Sequence, residues 1–90
     1  MAVTVYIPTP FRRATANRDR VEVSAPDLGA LLDELERAHE GLKGLVRNEA
    51  GEVHQHVAIY VNSEPIDGLE TPLNDGDEVA IIPALAGGRR

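Results

Sequence analysis

One stretch restricts the folds open to this chain more than any other. Leu28, Leu31, Leu32 and Leu35 recur at spacings of three and four, with Leu42 as a further candidate, while Asp33, Glu34, Glu36, Arg37 and Glu40 fall mostly off the stripe. The pattern predicts an amphipathic helix over about 28–40 that stops near Gly41. Ser24 with Asp27 resembles a capping box, but Asp27, just after Pro26, is the preferred N-cap because Leu28 then begins the stripe. A second, weak helical turn is expected over 42–47. A single helix cannot hide its apolar side alone, so this one must lie on a sheet. With one Phe, two Tyr and no Trp in 90 residues, the core between helix and sheet has to be aliphatic.

The strands are short. Val3, Val5 and Ile7 alternate with Thr4 and Tyr6, giving a strand over about 2–7 that Pro8 and Pro10 close. Residues 11–20 read as a polar connection that carries Arg12, Arg13, Arg18 and Arg20, a basic patch open to water or to a partner. Val21 and Val23 mark a second strand, paired with the first as a wide hairpin. Val57, Ile59 and Val61 give the strongest strand signal and should face the core. Asn62-Ser63 is a turn, and Glu64-Pro65-Ile66 a short edge piece, because proline cannot donate to a ladder. Leu69 and Leu73 read as isolated core plugs. Asn74-Asp75-Gly76-Asp77 is a dense turn signal before the last strand, 78–82. The order is β-β-α-β-β(short)-β. The strands at 3–7 and 78–82 are the candidates for the sheet centre. If they are adjacent and parallel, the result is an α+β fold of the β-grasp (ubiquitin-like) kind, a mixed sheet of four to five strands with one main helix on one face. Other α+β rolls share the same order. Residues 1–83 form the expected domain and 84–90 a flexible C-terminal tail.

Several functions are disfavoured. A net charge of −6 repels phosphate backbones, so nucleic acid is not an expected partner. The absence of cysteine removes disulfides, thiolate nucleophiles and Cys zinc sites. No apolar run approaches a membrane span, and the N-terminus lacks a signal-peptide pattern, so no membrane is expected and the cytoplasm is the expected location. His54 and His56 share a strand face at most, and Asp75 and Asp77 flank Gly76 without the downstream bidentate Glu of a calcium loop. No metal and no bound cofactor are therefore expected. Ser24 and Ser63 have no base that the sequence places beside them.

The remaining chemistry lies at the C-terminus, Pro83-Ala84-Leu85-Ala86-Gly87-Gly88-Arg89-Arg90. Gly-Gly is common linker composition. It also lacks side chains that would block a narrow channel. A main-chain carboxylate there becomes an electrophile once ATP converts it to an acyl-adenylate, and sulfide or a persulfide can then displace AMP to leave a thiocarboxylate. The chain has no phosphate-binding glycine loop, so a partner must supply that step.

Four stretches carry a resemblance to a known family: Val3-Thr4-Val5-Tyr6-Ile7-Pro8, Leu31-Leu32-Asp33-Glu34-Leu35, Val57-Ala58-Ile59-Tyr60-Val61-Asn62, and Leu73 through Gly88. Together they resemble the ubiquitin-like sulfur carrier proteins, which include the small subunit of molybdopterin synthase, the thiamine-pathway carrier and, most similar, the actinobacterial carrier of cysteine synthesis. The resemblance implies a β-grasp body with Gly88 as the residue that takes the adenylate and then the sulfur. Gly87 would enter the partner's active site beside it. It implies an E1-like adenylating enzyme using ATP and Mg, a sulfur-accepting synthase, and docking through an apolar patch on the open sheet face whose residues the sequence does not place. It does not imply an enzyme. Arg89-Arg90 depart from the family, whose mature carriers end at the second glycine. They suggest a proform trimmed by a JAMM-class zinc peptidase, or else two residues foreign to the natural chain. A protein modifier joined to lysine through Gly88, a molybdopterin synthase small subunit in a stable heteromer, and a regulatory subunit that occludes a partner's site with its tail are the alternatives.

Overall fold

The computed structural model describes residues 2–83. Its elements in chain order are β1 (Val3–Tyr6), a 3-10 helix (Thr9–Thr15), β2 (Arg20–Val23), α1 (Leu28–Ala38), a short 3-10 turn (Glu40–Leu42), β3 (Val57–Val61), β4 (Glu64–Pro65) and β5 (Glu78–Pro83). One five-stranded sheet runs in the order β2-β1-β5-β3-β4. β1 and β5 are parallel, and the other neighbours are antiparallel. The expected β-grasp architecture is therefore present, with β5 as the central strand.

The sheet has two unlike faces because its strands alternate. Val3, Val5, Val57, Ile59, Val79 and Ile81 point inward and join Leu28, Leu31, Leu32 and Leu35 of α1 in one aliphatic core. Leu73 plugs that core, and Leu69 packs against it half-buried. Opposite this face, no element among the described residues covers the sheet.

α1 begins as the sequence indicates. The Asp27 carboxylate accepts a hydrogen bond from the Ala30 N–H at 2.8 Å, satisfying one of the donors a helix start leaves unpaired. Asp27→Ala is expected to cost about 1 kcal/mol. A drop in melting temperature of roughly 4–8 °C would report it. The end of α1 differs from expectation. The helix stops at Ala38, with His39 as its C-cap at φ −132°, so Gly41 is not the stop signal. Gly41 instead permits close approach: a Cβ there would meet the Ala14 Cβ at 2.9 Å. The helical turn expected at 42–47 is a 3-10 turn at Glu40–Leu42.

The connection read as polar is also more structured than its composition suggests. Thr9–Thr15 wind into a 3-10 helix that buries Phe11 and Thr15. The Thr15 hydroxyl donates to the Arg18 carbonyl at 3.0 Å, and Arg12 Nε donates to the Ile7 carbonyl at 3.0 Å. Ala16 and Asn17 then take positive φ to return the chain to β2. An arginine-rich composition concealed these few anchoring contacts.

Candidate functional site: the open sheet face

Because α1 covers the other side, the outward residues of the strands form a surface of their own. Cross-strand register fixes its layout. Arg20 lies opposite Tyr6, Tyr6 opposite Ala80, Ala80 opposite Tyr60, and Tyr60 opposite Pro65, so one row crosses all five strands. In the direction of Pro83, Ile82 follows Ala80 on the same face, opposite Ala58. Tyr6 and Ile82 are 36% and 45% exposed, which is high for large apolar side chains in a sheet. With Ala80 as a flat floor between the two tyrosines, they line an open concavity of about 410 Å³ whose rim includes Ser63 and Glu78.

The rim of this apolar strip is charged. The Tyr6 hydroxyl donates to Glu78 at 3.4 Å. On the β2 side a second, more polar concavity holds Arg18 and Arg20 facing Glu22 and Glu78, and neither arginine is in an ion pair among the described residues. An apolar centre rich in tyrosine, ringed by charge, is the usual composition of a protein-docking surface.

The base of β5 is fixed tightly. Asn62 and Ser63 take φ of 53° and 71°, the left-handed pair of a two-residue hairpin between β3 and β4. From that turn the Asn62 side chain donates to Asp77 at 3.0 Å and accepts from the Glu78 N–H at 3.0 Å. Asp77 also accepts from the Asn74 N–H at 2.8 Å, and Asp75 accepts from the Ala2 N–H at 2.7 Å. The acidic pair is thus committed to turn geometry. Hydrogen bonds from Asn62 and then Asn74 hold the Asp77 carboxyl below its ordinary value of 3.8. A depressed folded-state value stabilises the fold above the unfolded pKa, and this contribution is lost as pH falls through the folded value. Unfolding stability is therefore expected to decline below about pH 4, and less steeply in Asp77→Asn than in the parent chain. Denaturant titrations at pH 7 and pH 3 measure that difference.

Of the residues singled out by sequence, Gly87 and Gly88 lie outside the described residues, as do Arg89 and Arg90. The structure gives the strand that leads to them: β5 ends at Pro83, opposite Val57. The rings of His54 and His56 stack with centroids 5.1 Å apart, and His54 Nε2 is 2.8 Å from the Gly44 carbonyl. No group of three metal-ligating side chains occurs among the described residues. None of their helices is long and apolar enough to cross a membrane. Sequence reasoning did not locate Tyr6, Tyr60, Ala80 and Ile82 as a surface. Their signal was present as the off-phase positions of three alternating strands, but it becomes a patch only with the register known.

Known proteins are similar to this chain in sequence and in fold. A model of the ThiS family matches residues 5–88. The sulfur carrier protein CysO of Mycobacterium tuberculosis is 41% identical over 93 residues, covering 98% of this chain and 100% of that protein. Small archaeal modifier protein 3 of Haloferax volcanii is 41% identical over 64 residues, 68% of each chain. A chain in the crystal structure of the Amycolatopsis orientalis BexX/CysO complex superposes with a TM-score of 0.88 at 38% identity, covering 97% of this chain and 100% of that one. A β-grasp sheet with parallel β1 and β5, an uncovered tyrosine-lined face and a family match that runs through Gly87 and Gly88 lead to one assignment: the chain belongs to the ThiS family of ubiquitin-like sulfur carriers.

Proposed function

We propose that Gly88 is the sulfur-bearing residue of this carrier. Cleavage after Gly88, removing Arg89-Arg90, exposes its carboxylate. An E1-like partner using ATP and Mg converts that carboxylate to an acyl-adenylate, and a sulfur donor displaces AMP to leave a thiocarboxylate. The thiocarboxylate then delivers sulfur in cysteine, cofactor or secondary-metabolite synthesis. The protein is a substrate throughout and not a catalyst. The observation that carries this reading is the apolar strip along β5. It lies on the central strand that leads toward Gly87-Gly88, so a partner gripping Tyr6, Ala80, Tyr60 and Ile82 would sit beside the chain's exit. A JAMM-class zinc peptidase fits the cleavage step, since two bulky cations after Gly88 would obstruct a glycine-sized channel.

The test is direct. A chain ending at Gly88, given an adenylating enzyme, ATP, Mg and sulfide, should gain the mass of oxygen replaced by sulfur at its C-terminus. The chain retaining Arg89-Arg90 should not. Equal conversion of the two, or none in a folded chain ending at Gly88, would sink the proposal. The charged rim predicts a second result. Arg18→Glu with Arg20→Glu is expected to change the second-order rate of adenylation a few-fold at low salt and much less at high salt, because rim charges act on encounter. Stopped assays across a salt series measure it.

The likeness to an archaeal modifier protein favours one further reading, in which the same activated Gly88 is joined to a lysine of a target. Branched tryptic peptides, in place of a C-terminal thiocarboxylate, would mark it.

A further inference from the structure

The nine basic side chains of this protein are unevenly divided between chemical types. Eight are arginines, at positions 12, 13, 18, 20, 37, 47, 89 and 90, and one is a lysine, Lys43. A guanidinium stays protonated at neutral pH and does not attack acyl groups, whereas a lysine amine does so once deprotonated. The whole body therefore offers an activated carboxyl a single side-chain amine.

The backbone that carries that amine is well anchored. Leu42 and Val46, both fully buried, pin the chain on either side of it. The Lys43 N–H donates to the Glu40 carbonyl at 3.0 Å, and the Leu45 N–H donates to the Leu42 carbonyl at 3.0 Å, so the turn is held by its own backbone. Lys43 itself is exposed and is in no ion pair among the described residues. Gly44 follows at φ +84°, and the space a Cβ would occupy there is open, so an incoming main chain meets no side chain at that point.

Lys43 shares an open concavity of about 400 Å³ with Asp33, Glu36, Arg47 and Glu49. Two of these carboxylates are already engaged. Arg47 binds Glu36 through Nε at 3.1 Å and Nη2 at 2.9 Å, and reaches Asp33 at 2.7 Å. The Glu36 hydrogen bond is the main reason its guanidinium holds its proton more firmly than usual. Glu49 is in no ion pair among the described residues. Asp33 and Glu36 belong to α1, so the concavity lies on the helix side of the sheet, away from the tyrosine strip.

From these observations we propose that Lys43 is the acceptor through which one copy of this protein is acylated by the activated glycine of another. The inference rests on the reading that Gly88 is adenylated. The exposed Lys43 amine gives up a proton to solvent and attacks the carbonyl carbon of the Gly88–AMP anhydride. The C–N amide bond forms, the C–O bond to phosphate breaks, and AMP leaves with that electron pair. No redox partner is needed. Because the acceptor amine and the docking strip lie on opposite sides of the sheet, a copy engaged through its open face still presents Lys43. Conjugates of the protein with itself through side-chain amines therefore have one linkage type and are unbranched.

The experiment mixes a donor ending at Gly88 with an isotope-labelled acceptor that keeps Arg89-Arg90 and so cannot be activated at Gly88. An E1-like adenylating enzyme, ATP and Mg are added, and hydroxylamine in a parallel reaction captures the activated donor as its hydroxamate. The expected product is a branched peptide joining the Gly88 carbonyl to Lys43 of the labelled chain. It should be lost when the acceptor carries Lys43→Arg, while hydroxamate yield from a Lys43→Arg donor is unchanged. Hydroxamate without a branched product, or conjugation at the α-amine in place of Lys43, overturns the proposal. Absence of hydroxamate overturns the adenylation reading first, and the Lys43 proposal falls with it.

Discussion

Ala80→Arg is expected to lower the second-order rate of adenylation by about 100-fold or more while leaving the fold intact. Ala80 is the floor of the open face, with Tyr6 and Tyr60 directly opposite it on either side. A guanidinium placed there would lie under any partner that seats on the strip. Desolvating it beneath a partner costs several kcal/mol even with Glu78 on the rim of the same concavity, and each 1.4 kcal/mol is a factor of ten in affinity. The side chain points away from α1, so the aliphatic core is untouched. The expected signature is therefore a raised KM with a melting temperature within a few degrees of the parent. An unchanged KM in a folded Ala80→Arg chain would show that partners do not dock on this face. Tyr60→Ala should move the same parameter in the same direction by a smaller factor, since it removes contact without adding an unpaired charge.

The second large effect is on stability. Leu31 has no exposed surface and sits where α1 meets the sheet. Leu31→Ala is expected to cost about 2–5 kcal/mol through lost burial and the cavity left behind. A 90-residue domain is stable by only about 5–13 kcal/mol, so the loss is a large share of the total. The melting temperature should fall by roughly 10–30 °C. Leu45→Ala provides the contrast: Leu45 is 37% exposed, and its replacement should shift stability by only about 0.5 kcal/mol or less. Thermal melts of the two variants side by side measure both. A small shift for Leu31→Ala would mean that α1 contributes little to holding the sheet.

The fold was legible because its strongest signals were periodic. The leucine stripe fixed one helix, and the alternation in 3–7, 57–61 and 78–82 fixed three strands. Pro65 marked an edge because a proline cannot complete a ladder. The parallel pairing of β1 with β5 followed from these strands only as one option, since sequence order does not state which strands touch. The helix end at Ala38 and the 3-10 helix at Thr9–Thr15 were not legible. Both depend on contacts between segments distant in sequence: Gly41 is a glycine because Ala14 lies against it, and nothing near Gly41 in the chain says so. The candidate site divides in the same way. Gly87-Gly88 stood out by composition, whereas the strip of Tyr6, Ala80, Tyr60 and Ile82 is a product of register. Each of those residues is unremarked in its own strand.

The parallel pairing of β1 and β5 also determines how this protein bears load. β1 starts at Val3 and β5 ends at Pro83, and the two run side by side in the same direction. Tension applied between the two ends of the chain therefore slides one strand along the other. The ladder bonds between them must then break together, whereas peeling would break them one after another. β5 also has a partner strand on its other side, which resists the same displacement. A machine that seizes the C-terminal segment and pulls thus loads the β1–β5 pairing in shear. The end to which the proposed chemistry is assigned follows directly on the one strand of the sheet that is paired with both β1 and β3.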